Sequence, residues 1–310
     1  MQPLVQVKDL RALGLLIAGY LATSLVPRSY DARAIPVLAH LLTRLMPNRI
    51  TERAADMKAA LGEGDRQDGR LVDAREYARQ RLEDRWLRGR NLHRRPALVK
   101  SVVTGLEHYQ LGLDSGKGVI LWRGRFCDAP AVNASLWRAG VKASHLSLDR
   151  HGSTASQLGI AVVSPLWARS EARWLKRRIV MRTDGGFEYI HDLLDVLEGN
   201  GTLSIFAEGT HTSRAPVTTT LFGIETAIPP GAPAFAHRTG AALLPVFAAS
   251  PAPLQYHITI GSPIEIDPAI DRRRYVQLAS EEFTGRLEDA IGRSPASWTR
   301  WPDLHEELTA

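Results

Sequence analysis

The sequence predicts an α/β fold, with a central, mostly parallel sheet flanked by helices and an N-terminal helical region in front of it. Three observations carry this. Short β-rich runs alternate with amphipathic helical stretches beyond Pro96, whereas residues 1–100 have a helical texture throughout. The chain of 310 residues is 44% hydrophobic and 23% charged, enough for a sizeable core. The division reads as a membrane-associating helical region at 1–100 and an α/β domain at 101–310.

The first element is the uncharged run Ala12 to Val26, shorter than the ~20 apolar residues of a spanning helix. Asp9 and Arg11 precede it, and Pro27-Arg28 closes it without a tidy cleavage site, which argues against a signal peptide. Arg28, Arg33, Arg44 and Arg49 follow, interleaved with Leu41, Leu42, Leu45 and Met46. Cations beside apolar stripes suit an anionic lipid surface. We read an interfacial helix that places the protein peripherally on the cytoplasmic face of the inner membrane; a buried core helix is the competing reading. Thr51 is expected to cap a helix that stops at Gly62-Glu63-Gly64, and a second helix covers Val72 to Leu87. Strands are expected at Gly118–Trp122, Val141–Ser147, Arg178–Met181, Thr202–Phe206, Ala242–Phe247 and Tyr256–Ile260. Helices are expected at Phe187–Leu197 and Ala232–Thr239, and a last one at Tyr275–Ile291 after Pro263 and Pro268.

A single cysteine, Cys127, rules out an internal disulfide, and no Cys/His spacing suits a structural metal. Lys plus Arg number 39 against 33 Asp plus Glu, a formal charge of +6. That excess fits an anionic surface or acidic ligands, and no nucleic-acid-binding motif accompanies it. The segment Ser164 to Arg182 concentrates it. There Trp167 and Trp174 lie among Arg169, Arg173, Lys176, Arg177 and Arg178, which suits a headgroup, an interface or an acidic carrier protein, or else a solvated helix face with its tryptophans in the core.

Chemistry is expected where strands end, since that is where side chains emerge in α/β folds. Gly118 to Pro130 runs from a strand into a polar turn with Arg125, Cys127 and Asp128. Thr202 to Arg214 runs from a strand into Glu208, Gly209, Thr210, His211 and Arg214. The order of these blocks resembles the glycerolipid acyltransferase superfamily, closest to the late (lauroyl/myristoyl) acyltransferases of lipid A biosynthesis. Phe206-Ala-Glu-Gly-Thr210 is similar to its F-P-E-G-T block. Leu221-Phe-Gly223 with Pro233 to Phe247, Arg182-Thr-Asp-Gly-Gly186, and the Trp-rich tail Pro295 to Trp301 match the same branch. The resemblance covers about residues 100–305. It implies acyl transfer from an acyl carrier protein or coenzyme A thioester to a lipid or glycolipid acceptor, with no bound cofactor. It also implies that Glu208, Gly209, Thr210 and Arg214 hold the acceptor, with Arg182 as a further candidate; His211 stands where the superfamily usually has Arg, as a phosphate contact, a base or a plain surface histidine.

The chain departs from that family at its catalytic pair. The family carries H-x4-D or H-x4-E after the first strand, a base and its orienting acid. Here those positions hold Arg125, which stays protonated, and Pro130, which has no carboxylate. Candidate substitutes are His145 and His151, with Asp128 or Asp149 as orienting acid and Arg125 as a fixed cation. Cys127 is a candidate low-pKa nucleophile or a small buried residue. The missing pair motivates a second reading, a degenerate member that binds lipid or scaffolds a membrane biosynthetic complex. A transferase for some other group is a third.

Overall fold

The computed structural model describes residues 3–62, 69–93, 96–97, 99–127, 129–149, 156–182, 186–208 and 216–304, the side chain of Ser170 excepted. Four helices lead: α1 Val7–Leu25, α2 Asp31–Leu45, α3 Pro47–Leu61 and α4 Gly69–Asn91. The alternating part follows. Its strands are β1 Lys100–Thr104, β2 Val119–Arg123, β3 Ser144–Leu148, β4 Arg177–Met181, β5 Thr202–Phe206, β6 Val217–Leu221, β7 Ile224–Ile228, β8 Ala242–Ala252 and β9 Gln255–Ile260. Its helices are α5 Leu106–Asp114, α6 Ala129–Arg138, α7 Ser164–Ala172, α8 Glu188–Glu198, α9 Gly231–Thr239 and α10 Arg272–Arg293.

Seven strands form one sheet in the order β1-β9-β8-β2-β5-β3-β4, parallel at every pairing except β8 with β9. Central β2 is buried along its whole length, which its unbroken apolar run Val119-Ile-Leu-Trp122 already required. Side-chain alternation then sorts the layers. Arg123 points to Asn133 on α6, whereas Trp122 packs its ring 4.2 Å from Phe283 of α10. Helices therefore cover both faces, and the core lies on either side of β2.

The helical region is bonded to the sheet through α4. Glu83 accepts from the Tyr256 hydroxyl, from the Leu254 amide at 3.2 Å and from Arg79, whose Nη2 reaches Ser250 Oγ at 3.1 Å. Burial raises the Glu83 carboxyl above its ordinary value in spite of these donors.

One expectation is corrected, and two elements are added to those expected. Thr51 caps nothing: α3 begins at Pro47, a favoured first-turn residue, and Thr51 Oγ1 donates to the Pro47 carbonyl at 3.2 Å. β1 is an added strand at the sheet edge. Residues 217–228 form an antiparallel hairpin, its two-residue turn Phe222-Gly223 held at positive φ (54° and 78°). The Trp-rich tail also has a structural task. Phe126 pairs antiparallel with Trp298, flanked by Cys127 N to Ser297 O at 2.8 Å and Thr299 N to Arg125 O at 2.9 Å. The tail thus lies as a short strand on the turn after β2.

Candidate functional site

The parallel register of β2 with β5 sets Arg123 opposite Phe206, so the chain leaves both strands at the same rim. Two residues further along each strand stand Arg125 and Glu208. The Glu208 carboxylate accepts from the Arg125 main-chain N–H at 2.5 Å and from Trp298 Nε1 at 2.8 Å. In return Arg125 Nε donates to the Glu208 carbonyl at 2.8 Å. The guanidinium lies 4.7 Å from the centre of the Phe206 ring, a cation–π distance. Its terminal nitrogens donate to no group among the described residues, and the residue is half-buried. Burial outweighs the attraction between the two residues: it raises the Glu208 carboxyl and lowers the Arg125 guanidinium.

Beneath them lies a second, largely interior layer. Arg123 Nη1 donates to Asn133 Oδ1 at 2.5 Å and to Ser204 Oγ at 3.3 Å, and its guanidinium lies 4.8 Å from the Phe206 ring. Desolvation lowers this arginine to about 10, so it still carries its charge at neutral pH. Ser204 Oγ is 3.1 Å from His145 Nδ1. Ser204 Oγ thus stands between the Arg123 guanidinium and the His145 ring. The His145 ring meets Phe206 edge-on at 5.2 Å. Arg178 on β4 completes the layer, bonded to Ser147 Oγ at 2.9 Å and the Leu148 carbonyl at 2.7 Å.

The structure brings Arg125 and Glu208 together and seats His145 one layer below, buried rather than at the surface. Arg182 is exposed at the end of β4, beside Asp149, whose amide donates to the Met181 carbonyl at 3.2 Å. Asp128, His151, Gly209, Thr210, His211 and Arg214 lie outside the described residues, on segments that follow β2, β3 and β5 in sequence. Pro130 is buried in the first turn of α6. The cationic segment is divided by the sheet. Arg178 turns inward, and Trp167 and Trp174 are stacked under Arg88 and Arg138 at 3.9 and 5.3 Å. Sequence reading gave Arg123 no role and took Phe206 and Trp298 only as parts of motifs. The available signal was Arg123 itself, a cation closing a strand that is otherwise wholly apolar.

Cys127 is no nucleophile. It is buried, and desolvation pushes its thiol far above the usual range. Iodoacetamide at neutral pH is expected to leave the folded protein unmodified and to add one carbamidomethyl group in denaturant, read by intact mass. Labelling of the native chain would contradict the buried placement. Among the described residues no three His, Cys, Asp or Glu side chains are grouped to hold a metal ion. No protein-family model matches the chain, and no curated protein sequence matches it.

Proposed function

We propose that this protein is a glycerolipid acyltransferase-like enzyme at the cytoplasmic face of the inner membrane. It moves an acyl group from an acyl carrier protein or coenzyme A thioester to a lipid or glycolipid acceptor. The observation that carries this reading is the rigid Arg125 fork beside Glu208 where β2 and β5 end. Nε and the ring face are already engaged, so only the terminal nitrogens are left to meet a developing oxyanion. The acceptor oxygen attacks the thioester carbonyl, a C–O bond forms, the C–S bond breaks and the thiol leaves with a proton. The acceptor's own proton passes to a base, for which His151 is the candidate, with Asp128 or Asp149 as its orienting acid; His151 and Asp128 lie outside the described residues. Glu208 contributes by fixing the Arg125 backbone, and Arg182, exposed at the end of β4, is the candidate to meet a phosphate on the acceptor. The apolar, cationic α1–α2 region supplies the contact with the membrane.

A second reading is favoured by Pro130 and Arg125 themselves. One is locked in a helix and the other is a permanent cation, so neither takes part in proton transfer. On that reading the fork holds a lipid headgroup without chemistry. Purified protein is to be given acyl-coenzyme A and acyl-carrier-protein donors with lysophospholipid and glycolipid acceptors, and thiol release followed. Acceptor-dependent release supports transfer; saturable lipid binding without thiol release supports the second reading.

A further inference from the structure

Helices α1 and α2 bury polar side chains while leaving most of their large apolar ones exposed. Their buried positions are Asp9, Leu16 and Thr23 on α1 and Asp31, Ile35 and Ala39 on α2, narrow stripes that include three polar side chains. Most of the large exposed apolar side chains of the described residues lie between Leu4 and Met46, among them Leu10, Ile17, Leu21, Val37, Leu41 and Leu45. Polar groups turned to the protein and apolar groups turned outward is the arrangement of a helix whose solvent is lipid. The charges follow the same division. Asp9 and Asp31 are the only acids from residue 3 to residue 49, and both are buried, whereas Lys8, Arg11, Arg33, Arg44 and Arg49 are exposed. The outer surface of this region is therefore apolar and purely cationic. A second copy of the chain laid on it would bring like charges together, whereas an anionic bilayer surface neutralises them.

The geometry between the helices decides how they meet that surface. Neither helix is long and apolar enough to cross a membrane; the pair passes by length and composition but bends by 103° between Leu25 and Arg28. One guanidinium holds the bend. Arg90 of α4 donates to the Thr23 carbonyl and, at 2.8 Å, to the Val26 carbonyl, taking up orphan acceptors at the end of α1. It also donates to both carboxylate oxygens of Asp31, the first residue of α2, and Trp86 Nε1 reaches Asp31 Oδ1 at 3.0 Å. Close approach fixes α1 further, since a Cβ on Gly89 would stand 2.5 Å from the Gly19 backbone. Asp9 accepts from Ser156, and the Leu158 amide donates to the Leu4 carbonyl at 3.1 Å, so α1 starts beside the segment that follows β3.

We infer that α1 and α2 form one wedge lying in the plane of an anionic leaflet, its elbow locked by Arg90 so that the pair cannot cross the bilayer. This rests on the membrane reading above and gives it a geometry, both helices lying along the leaflet rather than through it. The test uses the full-length protein and unilamellar vesicles, with no turnover, so that its failure is separate from failure of the acyl-transfer reading. Binding to mixed phosphatidylcholine–phosphatidylglycerol vesicles is expected to be more than about tenfold tighter than to phosphatidylcholine alone. A fluorophore placed through Leu21→Cys or Leu41→Cys, with Cys127 buried and unreactive, is to be quenched by bromines set at different depths in the acyl chains. Both labels are expected to quench most near the headgroup end. Quenching strongest at the bilayer centre, or a dimer that ignores vesicles, would overturn the wedge. Arg90→Met strands Asp31 without its cation and is expected to shift the Leu21 label to greater depth. Arg90→Lys, which cannot hold the α1 carbonyls and Asp31 together, serves if Arg90→Met does not fold. Unchanged depth in a folded variant would overturn the lock.

Discussion

Glu208→Ala is expected to destabilise the protein by about 3–5 kcal/mol, seen in urea unfolding or as a melting temperature lower by roughly 10 °C. Three costs combine. The Arg125 amide and the Trp298 indole lose their acceptor while still buried, at about 1–3 kcal/mol for each such group. Removing the buried side chain also leaves a cavity beside the turn that follows β2. The tail strand at Phe126 and Trp298 loses its side-chain clasp, so Trp298 fluorescence is expected to shift to the red. Glu208→Gln keeps the volume and one acceptor oxygen but turns an amide N–H toward a donor, and is expected to cost about 1–2 kcal/mol. The two variants differ in pH dependence from the wild type in a defined direction. Burial raises the Glu208 carboxyl above its ordinary 4.5, so the folded chain keeps that proton at pH values where the unfolded chain has lost it. Its stabilising contribution is complete below the ordinary value and is lost as pH rises through the raised one. The gap between wild type and Glu208→Gln is therefore expected to be widest in acid and to narrow toward higher pH. A gap that widens with pH would mean that Glu208 is stabilised as a carboxylate.

The same residues show what a sequence reveals and what it hides. Strands β2 and β5 were legible because Val119–Trp122 is an unbroken apolar run and Thr202–Phe206 sets Leu203, Ile205 and Phe206 among short hydroxyl residues, as suits a strand between two layers of helices. Once two such strands are parallel neighbours, the residues after them share a rim, and the meeting of Arg125 with Glu208 follows from register alone. Trp298 was not legible as a partner of Glu208, because ninety residues and a sheet separate them and indole donors leave no local pattern. Arg123 was hidden differently. A cation at the end of a strand reads as the start of a loop, and nothing local tells that Asn133 and Ser204 seal it in. Hairpin β6–β7 escaped because Val217-Thr-Thr-Thr-Leu221 is half polar, its alternation fixed by α10 packing over it (Thr284 Oγ1 to Thr219 Oγ1, 3.1 Å) rather than by composition. In α1 and α2 the hydrophobic run was plain, but which stripe turns inward was not. Asp9 and Asp31 look like surface residues until Ser156 and Arg90 are seen to bond them.

Arg125→Ala is the variant expected to act on function more than on folding. The bond that ties this turn to Glu208 starts from the Arg125 main-chain N–H, and alanine retains it. What disappears is the guanidinium: its Nε bond to the Glu208 carbonyl, its stacking on Phe206 and the open fork. If the fork meets a developing oxyanion, kcat is expected to fall about 10²–10³-fold, as for loss of one oxyanion donor elsewhere, while KM for the acceptor moves little. Arg125→Lys is expected to recover little of this, since an ammonium cannot stack as a plane, hold the Glu208 carbonyl and present a fork at once. Burial is an added obstacle, because a lysine in the place of Arg125 sheds its proton more readily than a guanidinium. The lipid-holding reading requires the opposite pattern. There the charge alone matters, so lysine would restore binding to near the wild-type level, alanine would weaken it and no rate would change. Measuring thiol release and lipid affinity on the same two variants separates the readings: rescue of binding by lysine without any turnover in the wild type would remove the chemistry from this site and leave it a headgroup clamp.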